Sequence, residues 1–463
     1  MRLDLNQIAS ITGGTLMPER ANGIVTGVCT DSRSLRSGDL FVPLRGPRFD
    51  GHDFMAQAVR GGASACLSEE VIAGLPVPVI QVADTLKALG DLAAAVRQGF
   101  DGPVLAVTGS SGKTSTKEML AGILALRGPG LKTEGNFNNL IGLPHTLFRL
   151  EAEHGWAVVE LGMSARGEIA RLAEISRPDI GIITNVGPAH LETLHNLEGV
   201  ARAKGELFAA LPHGGTAVIN GDDQRVLQLP VANGVRRLIY GCGPDAEVRA
   251  EDITVDRQGV RFRLVLPDGN WAVCLSVPGR YNVHNALAAA AAAYALNVSG
   301  AQIVEGLERF RSCAGRMEVA ELASGATMLE DFYNANPLAV MAALKALDEL
   351  PGSGRRIAVL GDMLELGEAA ADLHRQTGLH ASKCADLLIL LGERAEDTAS
   401  GARQGGMPPQ SVWVVKSHDE AVQLLGDLLR PGDRVLVKGS RGMAMEKICK
   451  ALRASDGRPT AGH

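Results

Sequence analysis

Lys113 and Thr114 directly follow Gly112, at the end of the run Val-Leu-Ala-Val-Thr-Gly-Ser-Ser-Gly-Lys-Thr-Ser-Thr that spans 104 to 116. An ammonium and a hydroxyl set behind glycines suit a phosphate chain. Gly109 and Gly112 allow tight turns and close approach of a ligand. Backbone amides from Ser110 and Ser111 to Ser115 would face the anion, and the helix dipole favours negative charge there. Lys113 would reach the outer phosphates, and the Thr114 hydroxyl would ligate Mg²⁺. Val107 stands where the common phosphate-loop pattern has its first glycine. An ordinary Gly/Ser turn explains the glycines but not Lys113-Thr114 in this place, so nucleotide binding is expected.

Such a loop needs a strand before it and a helix after it. The apolar run Val104 to Val107 predicts a buried strand, and Lys117 to Leu126 a helix. Further strands are expected at Trp156 to Leu161, Ile180 to Thr184 and Thr216 to Asn220. Ligands of open α/β sheets gather beyond the carboxyl ends of strands. Glu160, Asn185 and His190 would lie near such ends, beside Lys113. The loop from Thr133 to Asn139 carries Asn136, Asn138 and Asn139, rich in amide donors and acceptors. In the helix expected at Leu197 to Leu211, Lys204 shares the apolar face of Val200, Leu207 and Phe208. It must snorkel to water or find partners. If buried, its amine becomes neutral and nucleophilic.

The remaining elements suggest three domains, as the 463 residues also do. Residues 1–83 form a small α/β unit whose loops hold Thr30-Asp31-Ser32-Arg33 and Gly46 to His52. Residues 84–312 begin with a linking helix, Asp84 to Gln98. They continue with a parallel sheet of the P-loop ATPase type, and a hairpin at 261–277 reads as a small β appendage. Gly279 to Asn285 precedes an Ala-rich helix, which Asn282 and Asn285 would cap or use to hold a ligand. Residues 313–463 repeat the βαβ rhythm at Ile357 to Leu360, Leu387 to Leu391, Val412 to Val415 and Val435 to Val437. Polar clusters again follow strands there, at Glu330 to Pro337, Gly361-Asp362-Met363 and Lys438 to Gly442. The tail from Gly457 to His463 is expected to fray.

The net charge of −6 gives no case for a nucleic-acid partner. Seven dispersed cysteines without a Cys-x-x-Cys pair fit a reducing cytosol. No stretch reaches the ~18 apolar residues of a membrane span, and the first residues lack a signal-peptide core. A soluble, cytoplasmic protein is expected. The dinucleotide fingerprint is absent, so NAD is not expected.

Taken together, these clusters resemble the Mur ligase family along the whole chain. The phosphate loop, Glu160, the segment from Asn185 to His190, Ala203-Lys204-Gly205-Glu206 and Gly315-Arg316-Met317-Glu318 occur in family order. Gly135 to Pro144, Tyr333 to Pro337, Gly361 to Gly367 and Lys438 to Arg441 resemble the branch that adds D-alanyl-D-alanine. The Asp-Asn-Pro-Arg of the diaminopimelate- or lysine-adding members is absent. Ser110-Ser111, Glu330 and Met163 to Arg166 depart from common family residues.

The resemblance implies an α/β chain with a domain for the UDP end of the substrate, a central ATPase domain and a C-terminal Rossmann-like domain. It implies an ATP-dependent, acyl-phosphate route joining UDP-N-acetylmuramoyl-tripeptide to D-alanyl-D-alanine, with Mg²⁺. By the same resemblance Lys113 would neutralise the phosphates, while Thr114 and Glu160 would hold one Mg²⁺ and His190 a second. Lys204 would carry a CO₂-derived carbamate that serves as a metal ligand, and Arg316 would touch the γ-phosphate. Asn282 and Asn334 would border the adenine, and Asp331 and Lys438 would face the closed site. Ser32 and Arg33 would meet the UDP end, and Asn136, Asn138 and Asn139 the sugar-peptide. A monomer is expected, open without ligands and closed when Arg316 meets the nucleotide. Two other readings stay open: a folylpolyglutamate synthetase-like ligase, and a P-loop kinase or nucleotide-gated binding protein.

Overall fold

A computed structural model describes residues 2–72, 74–256 and 258–455. The tail from Gly457 lies outside them. Among the described residues are three main sheets, each with its own buried core.

The first sheet has five strands in the order Thr15–Met17, Val79–Gln81, Ala65–Ser68, Asp39–Phe41, Gly27–Cys29. The apolar segment from Ile24 to Cys29 forms two short strands. Ile24–Val25 pairs antiparallel with Leu3–Asp4, and Gly27–Cys29 joins the sheet. Helix Leu5–Thr12 starts at a capping box, with Asp4 accepting from the amides of Asn6 and Gln7. Asp84 caps the linking helix Thr85–Gln98 by accepting from the Lys87 amide at 2.8 Å. Its Leu89 and Leu92 belong to the first core, whereas Ala93 packs into the second, so the helix joins two cores.

The second sheet has nine strands. Val104–Thr108 lies between Ala157–Glu160 and Ile180–Ile183, paired in parallel with both. Every residue of this strand is fully buried, as its unbroken apolar pattern requires of a strand covered on both faces. Thr216–Asn220 and Arg236–Gly241 extend the parallel part. The expected β appendage is not set apart from it: Val248–Asp256 pairs in parallel with Arg236–Gly241, and Gly259–Leu266 and Gly269–Leu275 continue the same sheet as an antiparallel edge. Helix Tyr281–Ala295 crosses the sheet with Ala286 to Ala293 fully buried. Alanine side chains let it pack close to both the sheet and the helix Lys113–Leu124.

That second helix begins at Lys113, four residues before its apolar pattern. Gly112, in the left-handed region at φ 80°, turns the chain directly into it. The third sheet runs Glu318–Glu321, Thr327–Glu330, Arg434–Lys438, Arg356–Gly361, Leu387–Leu391, Val412–Val415, parallel except for its first hairpin. Among the described residues no helix is long and apolar enough to cross a membrane.

Candidate active site

The strand register alone brings the chemistry together. Val107 pairs with Glu160 and Thr108 with Ile183, so the phosphate loop emerges between Glu160 and the Thr184-Asn185 turn. These groups line a cavity of about 550 Å³ between the central and C-terminal sheets.

The loop is held tightly. A Cβ on Gly109 would lie 1.9 Å from Thr184 Oγ1, and one on Gly112 2.2 Å from Asn285 Oδ1, so neither position admits a side chain. Asn185 clamps the turn from both sides. Its Oδ1 accepts from the Ser111 amide at 2.9 Å, and its Nδ2 donates to the Ser111 carbonyl at 3.1 Å. Ser110 to Ser115 line the cavity. The first amides of the helix have no carbonyl one turn back to bond, and so remain available to an anion.

Lys113 folds over this loop and donates to the Gly109 carbonyl at 2.8 Å. Burial pushes its amine down, which Glu160 opposes and Arg316 reinforces. The Thr114 hydroxyl donates to Glu160 Oε2 at 2.8 Å, and Asn138 Nδ2 donates to Oε1 at 2.9 Å. Glu160 itself is 2% exposed. A hydroxyl and a carboxylate in contact form a hard-oxygen pair that fits Mg²⁺.

Three expected ligands of the site fall elsewhere. The His190 ring does not line the cavity; its Nδ1 meets Glu365 of the third domain at 2.6 Å, and its backbone takes φ 55°. Asn282 is buried and turned inward, donating to the Pro278 carbonyl at 2.8 Å and accepting from Asn285. Asn285 and His284 line the cavity instead. Lys204 lies behind the wall. It does not snorkel: it is 2% exposed, and Val200, Leu207 and Phe208 around it on its helix face are fully buried. Burial pushes its amine well down, and the charge of Lys113 adds to that.

The third domain closes the other side. The Arg316 guanidinium stacks on the Tyr333 ring at 4.2 Å from its centroid, and Arg441 approaches the same ring at 5.8 Å. Lys438 Nζ bonds Asp331 Oδ2 at 2.6 Å and the Asn334 carbonyl at 3.0 Å, fixing both residues at the cavity wall. The central and C-terminal domains are in contact here. Asn336 Nδ2 donates to the Ser110 carbonyl at 3.0 Å, and His190 pairs with Glu365, so the two domains meet across the phosphate loop.

The substrate residues expected from the first domain stand apart from this cavity. Arg33 is exposed and paired with Asp31 at 2.7 Å; that contact lowers the Asp31 carboxyl to about 2. Ser32 shares its turn. The turn is tied to the central domain through Thr30 Oγ1 and His145 Nε2, 3.0 Å apart. Asn136 is exposed, and Asn139 caps the helix Gly142–Leu147 by accepting from the Gly142 amide at 2.8 Å.

Three family profiles match in succession: Mur ligase family, catalytic domain over residues 24–97; Mur ligase middle domain over 107–293; and Mur ligase, glutamate ligase domain over 315–441. A UDP-N-acetylmuramoyl-tripeptide–D-alanyl-D-alanine ligase of Escherichia coli is 40% identical, over 97% of this chain and 98% of that one. The chain belongs to the Mur ligase family. A MurF crystal structure from Acinetobacter baumannii superposes with a TM-score of 0.92 at 34% identity, covering 98% of this chain and 99% of that one. A MurF ligase from Thermotoga maritima in complex with ADP gives 0.84 at 28% identity, covering 93% and 97%.

Several groups of this Mur ligase's cavity were not legible as such. Asn336 reads as a helix cap before Pro337, and it is one, accepting from the Ala339 amide at 2.9 Å; its second bond to Ser110 crosses between domains and leaves no local signal. Asp222 and Asp223 were not singled out, although their place after a strand end in Asn220-Gly221-Asp222-Asp223 is a signal that could have found them. Asp223 caps the helix Gln224–Leu227 and accepts from the Val186 amide at 2.8 Å.

Proposed function

We propose that this Mur ligase joins D-alanyl-D-alanine to UDP-N-acetylmuramoyl-tripeptide at the expense of ATP, yielding UDP-N-acetylmuramoyl-pentapeptide, ADP and phosphate. The observation that carries this reading is the meeting of Lys113, the Thr114–Glu160 pair and Arg316 around one cavity. The near full-length likeness to ligases of that name supports the choice of substrates.

A carboxylate does not acylate an amine at neutral pH, because its oxygen is too poor a leaving group. Transfer of the γ-phosphoryl group to the tripeptide's terminal carboxylate makes an acyl phosphate, whose leaving group is phosphate. Both steps crowd negative charge, so positive charge and fixed position are what the protein must supply. Lys113 and Arg316 bring two cations from opposite domains. Two half-buried cations that repel one another are each costly without an anion, which favours a bound phosphate chain. Thr114 and Glu160 would hold Mg²⁺, which supplies charge neutralisation to the phosphates when bound. We assign Asp331, held by Lys438, to the place where the incoming ammonium sheds its proton.

Lys204 fits a carbamate: its amine is buried, held toward the neutral form and flanked by apolar side chains. An uncharged amine is the form that attacks CO₂, and the product would be an anion behind Lys113. His190 would serve as a further ligand only after leaving Glu365. Ser32, Arg33, Asn136, Asn138 and Asn139 remain the proposed contacts to the UDP-sugar and peptide. Residues 1–83, 84–312 and 313–463 are the proposed domains. We infer a cytoplasmic monomer, in keeping with seven unpaired cysteines.

ADP release measured with D-alanyl-D-alanine, single amino acids, or folate plus glutamate tests this reading. Release that requires both the muramoyl tripeptide and the dipeptide supports it. Release with folate and glutamate would favour the synthetase reading, and ADP release without formation of a peptide bond a kinase or nucleotide-gated protein.

A further inference from the structure

At the edge of the same cavity three side chains converge that the ligase chemistry does not use together, two of them lining it. Asp222 follows the strand Thr216–Asn220, and Cys242 follows its parallel neighbour Arg236–Gly241. His284 sits in the first turn of the helix Tyr281–Ala295. His284 Nε2 lies 2.9 Å from Asp222 Oδ2 and 3.8 Å from Cys242 Sγ. The three ligand atoms all lie within 4.8 Å of one another.

These separations suit one small ion. Tetrahedral zinc holds sulfur at about 2.3 Å and nitrogen or oxygen at about 2.0–2.2 Å, which sets its ligand atoms roughly 3.3–3.6 Å apart. The observed distances fall on either side of that. The ligands are also oriented from behind. The Cys242 amide donates to Asp222 Oδ2 at 2.6 Å and the Gly243 amide to Oδ1 at 3.3 Å, so the turn that presents the thiol also fixes the carboxylate. Asp222 and His284 line the cavity, which leaves an open side for water or a nucleotide atom. A thiol with an imidazole selects a softer ion than the hard-oxygen pair of Thr114 and Glu160 does.

We propose that Asp222, Cys242 and His284 form a further cation site, for a thiophilic divalent ion such as Zn²⁺, at the edge of the nucleotide cavity. Binding forms a metal–sulfur bond as the thiol proton leaves. It forms a metal–nitrogen bond at Nε2 as the proton there moves to Nδ1, or goes to solvent where both ring nitrogens carry one. The ion takes up the two side chains that this part of the wall offers a nucleotide, and nucleotide binding weakens.

The test is titration of the full-length protein with Co²⁺ in excess Mg²⁺, followed by absorption. The expected result is a thiolate-to-cobalt charge-transfer band with the visible bands of tetrahedral cobalt, saturating at a single equivalent and erased by Zn²⁺. Cys242→Ser loses the charge-transfer band, and Zn²⁺ then no longer weakens nucleotide binding. Identical spectra from the wild type and Cys242→Ser, featureless or not, would overturn the proposal. Should Cys242→Ser not fold, His284→Gln serves instead: it must lose the single-equivalent saturation, and retaining it counts against the site. None of these readouts depends on turnover, so they stand or fall separately from the ligase reading.

Discussion

Thr114, in the first turn of the helix after the phosphate loop, and Glu160, at the end of the neighbouring strand, are separated by 46 positions in sequence and meet at 2.8 Å. The contact pairs two hard oxygen donors beside the phosphate loop, and Asn138 holds the other carboxylate oxygen at 2.9 Å. Glu160→Gln preserves shape and removes the charge. Turnover at saturating Mg²⁺ should fall at least ~100-fold, while the melting temperature changes little. Steady-state kinetics over a Mg²⁺ series checks this. Wild-type turnover in the variant would remove Glu160 from the metal site.

Much of this site was legible in the chain. Lys113-Thr114 behind Gly112 marks a phosphate loop because few other structures need a cation and a hydroxyl there. Glu160 stands out because an acid ends an apolar strand. Lys204 was legible as an anomaly on an apolar face, and the structure buries it. What escaped has a common cause: the partner lies far away in sequence. Asn336 reaches Ser110 across a domain boundary, and His190 meets Glu365 in the same way. Asn282 and Asn285 are three positions apart on one helix, and only the tertiary packing decides which faces the cavity. The hairpin at 261–277 reads as an appendage because its alternation differs from that of the parallel strands, yet edge pairing through Val248 makes it part of their sheet.

Lys204 is held toward its neutral form by burial and by the charge of Lys113. Lys204→Ala should lose nearly all turnover, and bicarbonate should not restore it. In the wild type, ¹³C-bicarbonate should give a carbamate carbon resonance that is absent from the variant. Unchanged turnover in Lys204→Ala would dismiss the carbamate.

Asn336 serves two ends at once, capping the helix Pro337–Glu349 and donating to the Ser110 carbonyl. Serine keeps a cap but is too short to reach the loop. Asn336→Ser should therefore retain stability within about 1 kcal/mol while lowering kcat and giving a more open scattering curve with bound nucleotide. Equal scattering curves and equal kcat would mean that the contact does not hold the domains together.

Asp433 is buried at the foot of the third sheet, paired with Arg355 at 2.6 Å and accepting from the amides of Arg355 and Arg430. Burial alone would raise its carboxyl, but these bonds outweigh it and hold the group below its ordinary 3.8. A depressed carboxylate contributes stability that is fully present above the unfolded value and lost as pH falls through the folded one. Asp433→Asn should cost about 3 kcal/mol near neutral pH, with the gap to the wild type closing below about pH 4. Urea melts across that range measure it. A gap that stays constant down to pH 2 would show that the charge is not what stabilises this corner.

The central claim is that ATP activates a carboxylate by phosphorylating it. The most direct measurement uses tripeptide substrate carrying ¹⁸O in its terminal carboxylate, with mass analysis of the phosphate released as D-alanyl-D-alanine is added. The expected result is one ¹⁸O transferred into each phosphate, because the carboxylate oxygen leaves with the phosphoryl group. Phosphate released without the label, while the peptide bond still forms, would contradict it.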